Sequence, residues 1–160
     1  MRRVRVYCDT SVFGGFHDEE FAAPTQRFFE EVKRGRYVIL VSPVTLDELS
    51  RAPTKTQRVL ESVPDEYVEE LDLTAEVTRL AQMYVAAGVL GKASRGDAAH
   101  VAAASVAGAD LILSWNFRHI VNYERIQKFN AVNLMDGYRP LDIRSPQEIG
   151  YGLEDDAEDV

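Results

Sequence analysis

"YVILVSPVTLDELS", Tyr37–Ser50, passes from a strand pattern to a helix pattern with no residue to spare, and the fold class follows from that junction. Its first six residues, Tyr37 to Ser42, are a continuous run rich in β-branched and apolar side chains, the pattern of a parallel strand covered on both faces. Ser42 followed by Pro43 reads as an N-cap with proline at the first helical position, so a helix begins directly after the strand.

The same alternation continues in both directions. Upstream, Val4 to Asp9 reads as a strand, and roughly Pro24 to Gly35 as an amphipathic helix with Phe28, Phe29 and Val32 apolar and Gly35 as its stop. Downstream, a helix is expected at about Thr54 to Val63, a short strand within "EYVEELDL", and a helix at Thr74 to Ala87 with Val77, Leu80, Ala81, Tyr84 and Val85 at helical spacing. "DAAHVAAASVAG", Asp97 to Gly108, is apolar almost all round and predicts a helix buried in the middle of the molecule. "ADLILSW" is the next buried strand, "HIVNYERIQKFNAVNLMDG" a further helix, and "PLDI" a last edge strand. Strands alternating with helices imply a parallel sheet with right-handed crossovers and helices on both faces. The expected fold is an α/β/α sandwich around four to five parallel strands.

With 160 residues the chain suits one domain, expected over 1–150, followed by an acidic and disordered tail at 151–160. Hydrophobic residues make up 46% and charged residues 28%, and the longest apolar run is too short to cross a bilayer. Met1-Arg2-Arg3 is followed by strand-like residues rather than an apolar leader, which reads as a cytoplasmic protein. Cys8 is the single cysteine, so neither an internal disulfide nor a cysteine-rich zinc site is available. The net charge of −8 argues against coating nucleic acid by bulk electrostatics. Glu154, Asp155, Asp156, Glu158 and Asp159 supply much of that charge, so the body is only mildly acidic.

Four polar residues stand out once the apolar pattern is drawn: Asp9 at the end of the first strand, Glu48 in the helix after the second, Asp97 at the start of the all-apolar helix, and Asn116 just past "LILSW". Singly, Asp9 reads as an Asx-turn former, Asp97 as a helix cap, Glu48 as a solvated helix residue and Asn116 as a strand terminator. Together they fall where a doubly wound sheet gathers its ligand-binding residues. Three carboxylates and an amide oxygen converging there would repel one another without a cation. An oxygen-only donor set suits a hard ion, Mg²⁺ or Mn²⁺, and phosphodiester hydrolysis is chemistry such an ion serves.

In order and spacing, "VYCDTSVF" with Asp9, "SPVTLDEL" with Glu48, "GDAAHVAAA" with Asp97 and "LILSWNFRHIVN" with Asn116 resemble the four motifs of PIN-domain nucleases, especially VapC-type toxins. The resemblance runs from about Val4 to Ile149. It implies a Mg²⁺- or Mn²⁺-dependent endoribonuclease site of Asp9, Glu48, Asp97 and Asn116, with Asp9 and Asp97 as metal ligands, and frequent homodimerisation. It also implies an RNA substrate and, for a toxin, an antitoxin that blocks the cleft. The family usually carries aspartate in its fourth motif; Asn116 removes a charge while leaving a carbonyl oxygen able to coordinate.

Ser11, Arg95 and Arg118 are supporting candidates, Ser11 for arranging the site and the two arginines for contacting RNA phosphate. Lys92 and His119 have the same possible roles, while His100, one helical turn after Asp97, reads as a hydrogen-bonded core group. Two rival readings accompany the nuclease. One is a PIN-like module that binds metal, RNA or protein with weak or no catalysis. The other is a phosphatase with Asp9 as nucleophile, disfavoured because Ser11 stands where a second aspartate belongs.

Overall fold

A computed structural model of the chain describes residues 2–149; the acidic segment expected at 151–160 lies outside the described residues. Five strands form a single sheet: β1 (Val4–Cys8), β2 (Tyr37–Val41), β3 (Val68–Glu70), β4 (Leu111–Leu113) and β5 (Asp142–Arg144). Their spatial order is β3-β2-β1-β4-β5 and every pairing is parallel. Among the described residues seven α-helices flank it: α1 (Thr10–Gly15), α2 (Ala22–Lys33), α3 (Pro43–Ser50), α4 (Thr54–Glu61), α5 (Ala75–Ala86), α6 (Arg95–Val106) and α7 (Tyr123–Met135). This is the expected three-layer sandwich.

The alternation of side chains along the central strands splits the core in two. Val6, Cys8, Ile39, Val41, Leu111 and Leu113 pack with Val12, Phe28, Phe29, Val32, Leu49 and Val59 from α1 to α4. Tyr7, Leu40, Ile112 and Ile143 face Leu80, Tyr84, Val101 and Phe129 from α5 to α7. The chain builds outward from β1 through β2 to β3, then returns to lay β4 on the other side of β1. The carboxyl ends of β1 and β4 therefore flank the switch point of the sheet, where α/β folds bind ligands.

Ser42 is the N-cap of α3 with Pro43 following it, and Thr74 caps α5 by accepting from Val77 N–H at 3.2 Å, as their residue types predict. α6 buries Ala98, His100 and the whole run Val101 to Ser105.

Two stretches differ from the expected elements. Thr10–Gly15, where no helix was expected, is a helix of about one and a half turns, too short for periodicity to register, and it forms because Val12 and Phe13 enter the core. The helix expected from His119 begins only at Tyr123, with Asn122 as its cap. His119 to Val121 belong instead to a turn closed by Asn116, whose backbone carbonyl accepts from Ile120 and Val121 N–H and whose side-chain Oδ1 accepts from His119 N–H at 2.9 Å.

Candidate active site at the switch point of the sheet

Asp9 is the first residue past β1 and is 4% exposed. Its carboxylate makes no Asx-turn and no cap bond. Ser11 Oγ donates to Oδ1 and Ser114 Oγ to Oδ2, both at 2.5 Å. The two hydroxyls are fixed in turn, because Trp115 N–H donates to Ser11 Oγ at 2.8 Å and Asn116 N–H to Ser114 Oγ at 2.9 Å. Burial pushes the Asp9 carboxyl above the usual carboxylate range; the nearby His100 and the two hydroxyls draw it back, and the charge of Asp97 raises it again. Asp9 and Asp97 thus feel one another across the end of the sheet.

Asp97 lies in the first turn of α6 but is not its cap, which is Ser94. Its Oδ1 accepts from Asn116 Nδ2 at 3.2 Å, and its Oδ2 lies 3.0 Å from His119 Nδ1. A carboxylate only accepts, so the amide nitrogen of Asn116 must face Asp97 and its oxygen must face His119 N–H. The Asn116 oxygen is thus engaged in the turn through one lone pair, and its amide nitrogen orients Asp97. Asp9, Ser11, Ser114, Asn116, Asp97 and His119 form one hydrogen-bonded network.

Glu48 belongs to a second network. Its Oε1 is 2.5 Å from His100 Nε2, and His100 Nδ1 is 2.7 Å from Tyr7 Oη, which also meets Ser42 Oγ at 2.7 Å and Thr45 Oγ1 at 3.2 Å. With the imidazole as its Nε2–H tautomer, Tyr7 donates to Nδ1 and Nε2–H donates to Glu48. The hydrogen bond from His100 holds the Glu48 carboxyl below its ordinary range against partial burial, while burial drives the Tyr7 phenol well above its own. The Thr10 hydroxyl, buried without a well-formed hydrogen bond, lies close enough to Glu48 to help stabilise its charge.

The supporting candidates divide. Ser11 is in direct contact with Asp9. Arg118 is exposed in the turn after Asn116. Arg95 is exposed at the start of α6 and lines, with Lys92, Leu73, Val77, Ala81 and Val85, a groove of about 570 Å³ between α5 and α6 that does not contain the carboxylates. Ser114 and His119 complete the Asp9 and Asp97 contacts; sequence reasoning passed over Ser114 and gave His119 no metal-site role, although each lies within three residues of Asn116. His100 is a buried core histidine, as its place on an apolar helix suggests, and its second nitrogen reaches Glu48.

Among the described residues no three His, Cys, Asp or Glu side chains close around one point as a metal cluster. Of the three expected carboxylates, Glu48 has its Oε1 engaged by His100 Nε2 at 2.5 Å. The donor set still suits a hard cation held by two carboxylates and water, the usual manner for Mg²⁺. Each of Asp9 and Asp97 has two hydrogen bonds, leaving lone pairs on both, and Asp9 is buried with hydroxyls rather than a cationic side chain as its hydrogen-bond partners.

The fold and this site define a PIN domain: the model of that family matches residues 6–122, and the chain belongs to it. Among solved structures it is similar to Mycobacterium tuberculosis VapC20, a sarcin-ricin loop cleaving toxin, at 17% identity and a TM-score of 0.52, over 67% of this chain and 86% of that one. It is also similar to VapBC2 from Rickettsia felis, solved bound to a DNA fragment from their promoter, at 14% identity and a TM-score of 0.53, over 89% of this chain and 98% of the other. At these identities the likeness speaks for the fold. No curated protein matches the chain significantly. No helix among the described residues is long and apolar enough to cross a membrane.

Proposed function

We propose that the chain is a divalent-cation-dependent endoribonuclease acting in the cytoplasm, the toxin of a toxin–antitoxin pair, working as a homodimer and held inactive by an antitoxin. The observation that carries this reading is Asp9, a carboxylate buried at the switch point, held at both oxygens by hydroxyls and facing the charge of Asp97. Family membership and the likeness to VapC20 and VapBC2 support it.

In this reading Asp9 and Asp97 hold Mg²⁺ or Mn²⁺, which when bound supplies Lewis acidity at a phosphodiester. Ser11 and Ser114 keep Asp9 in place, and Asn116 and His119 orient Asp97. Glu48, kept ionised by His100, would serve as the base toward the attacking water. Arg118 and Arg95 contact the RNA backbone.

RNA cleavage in Mn²⁺ or Mg²⁺, compared among the natural chain, Asp9→Asn and Asp97→Asn, tests the proposal. Loss of cleavage by at least about a hundredfold in both variants, with retained folding, supports it. Cleavage that survives either change removes the mechanism. The rival reading, a PIN-like metal-, RNA- or protein-binding module, is favoured by one feature, the engagement of Asn116 and Glu48 in protein hydrogen bonds. Thermal stabilisation by Mn²⁺ without cleavage of any RNA would select it.

A further inference from the structure

Phe117 follows Asn116 directly, yet the residue is 45% exposed. An aromatic ring left in water beside a polar site invites a ligand only if it is held in place, and this one is. It meets Trp115 edge-on at 5.9 Å and Phe21 at 6.2 Å, while Phe21 and Trp115 stack at 4.1 Å and 19°. Trp115 is fixed from three sides. Its Nε1–H donates to Thr25 Oγ1 at 2.9 Å, its backbone N–H to Ser11 at 2.8 Å, and α1 presses so closely that a Cβ on Gly15 would stand 2.6 Å from Nε1. Phe117 N–H closes onto Trp115 O at 3.0 Å. The exposed ring thus stands on a rigid three-aromatic bracket anchored to the residue that holds Asp9.

We propose that Phe117, braced by Trp115 and Phe21, is a stacking platform for one unpaired nucleobase of a single-stranded RNA beside the scissile phosphate. The inference rests on the ribonuclease reading and adds a substrate feature to it: the RNA must present an unstacked base. Aromatic side chains are the usual platforms for such bases, and every base has a face to offer. Arg118, next in the chain and exposed, is placed for the neighbouring phosphate. Asp18, Glu19 and Glu20 lead into Phe21 and repel phosphate, which leaves that side of the bracket to an uncharged base. One half-exposed ring is small against the several hundred Å² of apolar patch that marks a protein interface.

The test measures a fluorescein-labelled unstructured RNA ten-mer, the same ten-mer with abasic ribose at each position in turn, and a duplex of the same sequence. Binding is followed in Ca²⁺ by anisotropy and by the emission of Trp115, the only tryptophan of the chain. The natural chain should bind the single strand with quenching of Trp115, and one abasic position should weaken binding by about five- to a hundredfold, the range of a single base–aromatic stack. Phe117→Ala should lose the same factor on the intact strand and be indifferent to that abasic position, with duplex binding unchanged; Phe117→Trp should restore base dependence in anisotropy. Equal binding by Phe117→Ala and the natural chain, additive losses from the two changes, or absence of RNA binding overturns the platform. So does intact RNA binding accompanied by loss of a protein partner in Phe117→Ala. Cleavage of the ten-mer in Mn²⁺ is scored separately: cleavage with no dependence on Phe117 sinks the platform and spares the nuclease, whereas RNA binding with base dependence but no cleavage sinks the nuclease alone.

Discussion

At the scale of single residues, Asp9 is costly to the fold and Asn116 relieves a cost. Burial raises the Asp9 pKa, so between its ordinary value and the raised one the folded chain keeps a proton that the unfolded chain has lost. Stability from this group therefore falls as pH rises through that window, and the deficit persists at neutral pH. In EDTA the melting temperature of Asp9→Asn relative to that of the natural chain should rise as pH is raised from below the ordinary carboxylate pKa to 7; a difference that is flat or falls with pH would contradict it. Asn116 donates its amide to Asp97, which an aspartate could not do. Asn116→Asp should melt lower in EDTA by ~1–3 kcal/mol, from a lost donor and a new carboxylate repulsion, and should gain more from Mn²⁺ than the natural chain does. Equal Mn²⁺ shifts in the two would show that Asn116 does not stand in for a charge at a cation site.

Among the elements, α1 has little sequence signal, yet at Gly15 it packs closely on Trp115 and Thr25. Its two glycines differ: a Cβ on Gly14 meets nothing within 4 Å, whereas one on Gly15 meets Trp115 at 2.6 Å and Thr25 Oγ1 at 2.9 Å. Gly15→Ala should lose ~1–3 kcal/mol in denaturant unfolding through overpacking against the indole. Gly14→Ala should be neutral or slightly stabilising, since alanine is the better helix former. Equal effects would mean that α1 does not clamp Trp115. Elements with a marked apolar pattern or a cap signal, α3, α5 and α6, were legible from local sequence alone. α1 was not, because six residues make too few turns to show a face, and the start of α7 was misplaced because Asn116 holds the preceding residues by tertiary and turn hydrogen bonds.

Across the whole molecule, the chain Tyr7–His100–Glu48 links both helical layers through the central strand. Tyr7 lies on β1, His100 on α6 and Glu48 on α3, and α3 and α6 pack on opposite core clusters. His100→Ala should return the Glu48 carboxyl toward its ordinary pKa, seen by carboxyl NMR titration, and destabilise the fold through the cavity left by a buried imidazole and the lost hydrogen bonds to Tyr7 and Glu48. Glu48 has a lowered pKa, so its contribution is present above the ordinary glutamate value and lost as pH falls through the depressed one, opposite in sign to Asp9. An unchanged Glu48 titration in His100→Ala would show that the histidine does not govern it.

Local pattern sufficed to read the parallel sandwich and to single out Asp9, Glu48, Asp97 and Asn116, because strand and helix periodicity are local and a polar residue interrupting an apolar run is visible without coordinates. Which of them meet is set by packing. Asp9 and Asp97 share a hydroxyl- and amide-lined network with Ser114 and His119, while Glu48 is turned to a histidine buried from another layer. Those partners lie up to 105 residues apart in the chain, and which side-chain atom faces which is fixed by packing across the sheet, a property no local pattern encodes.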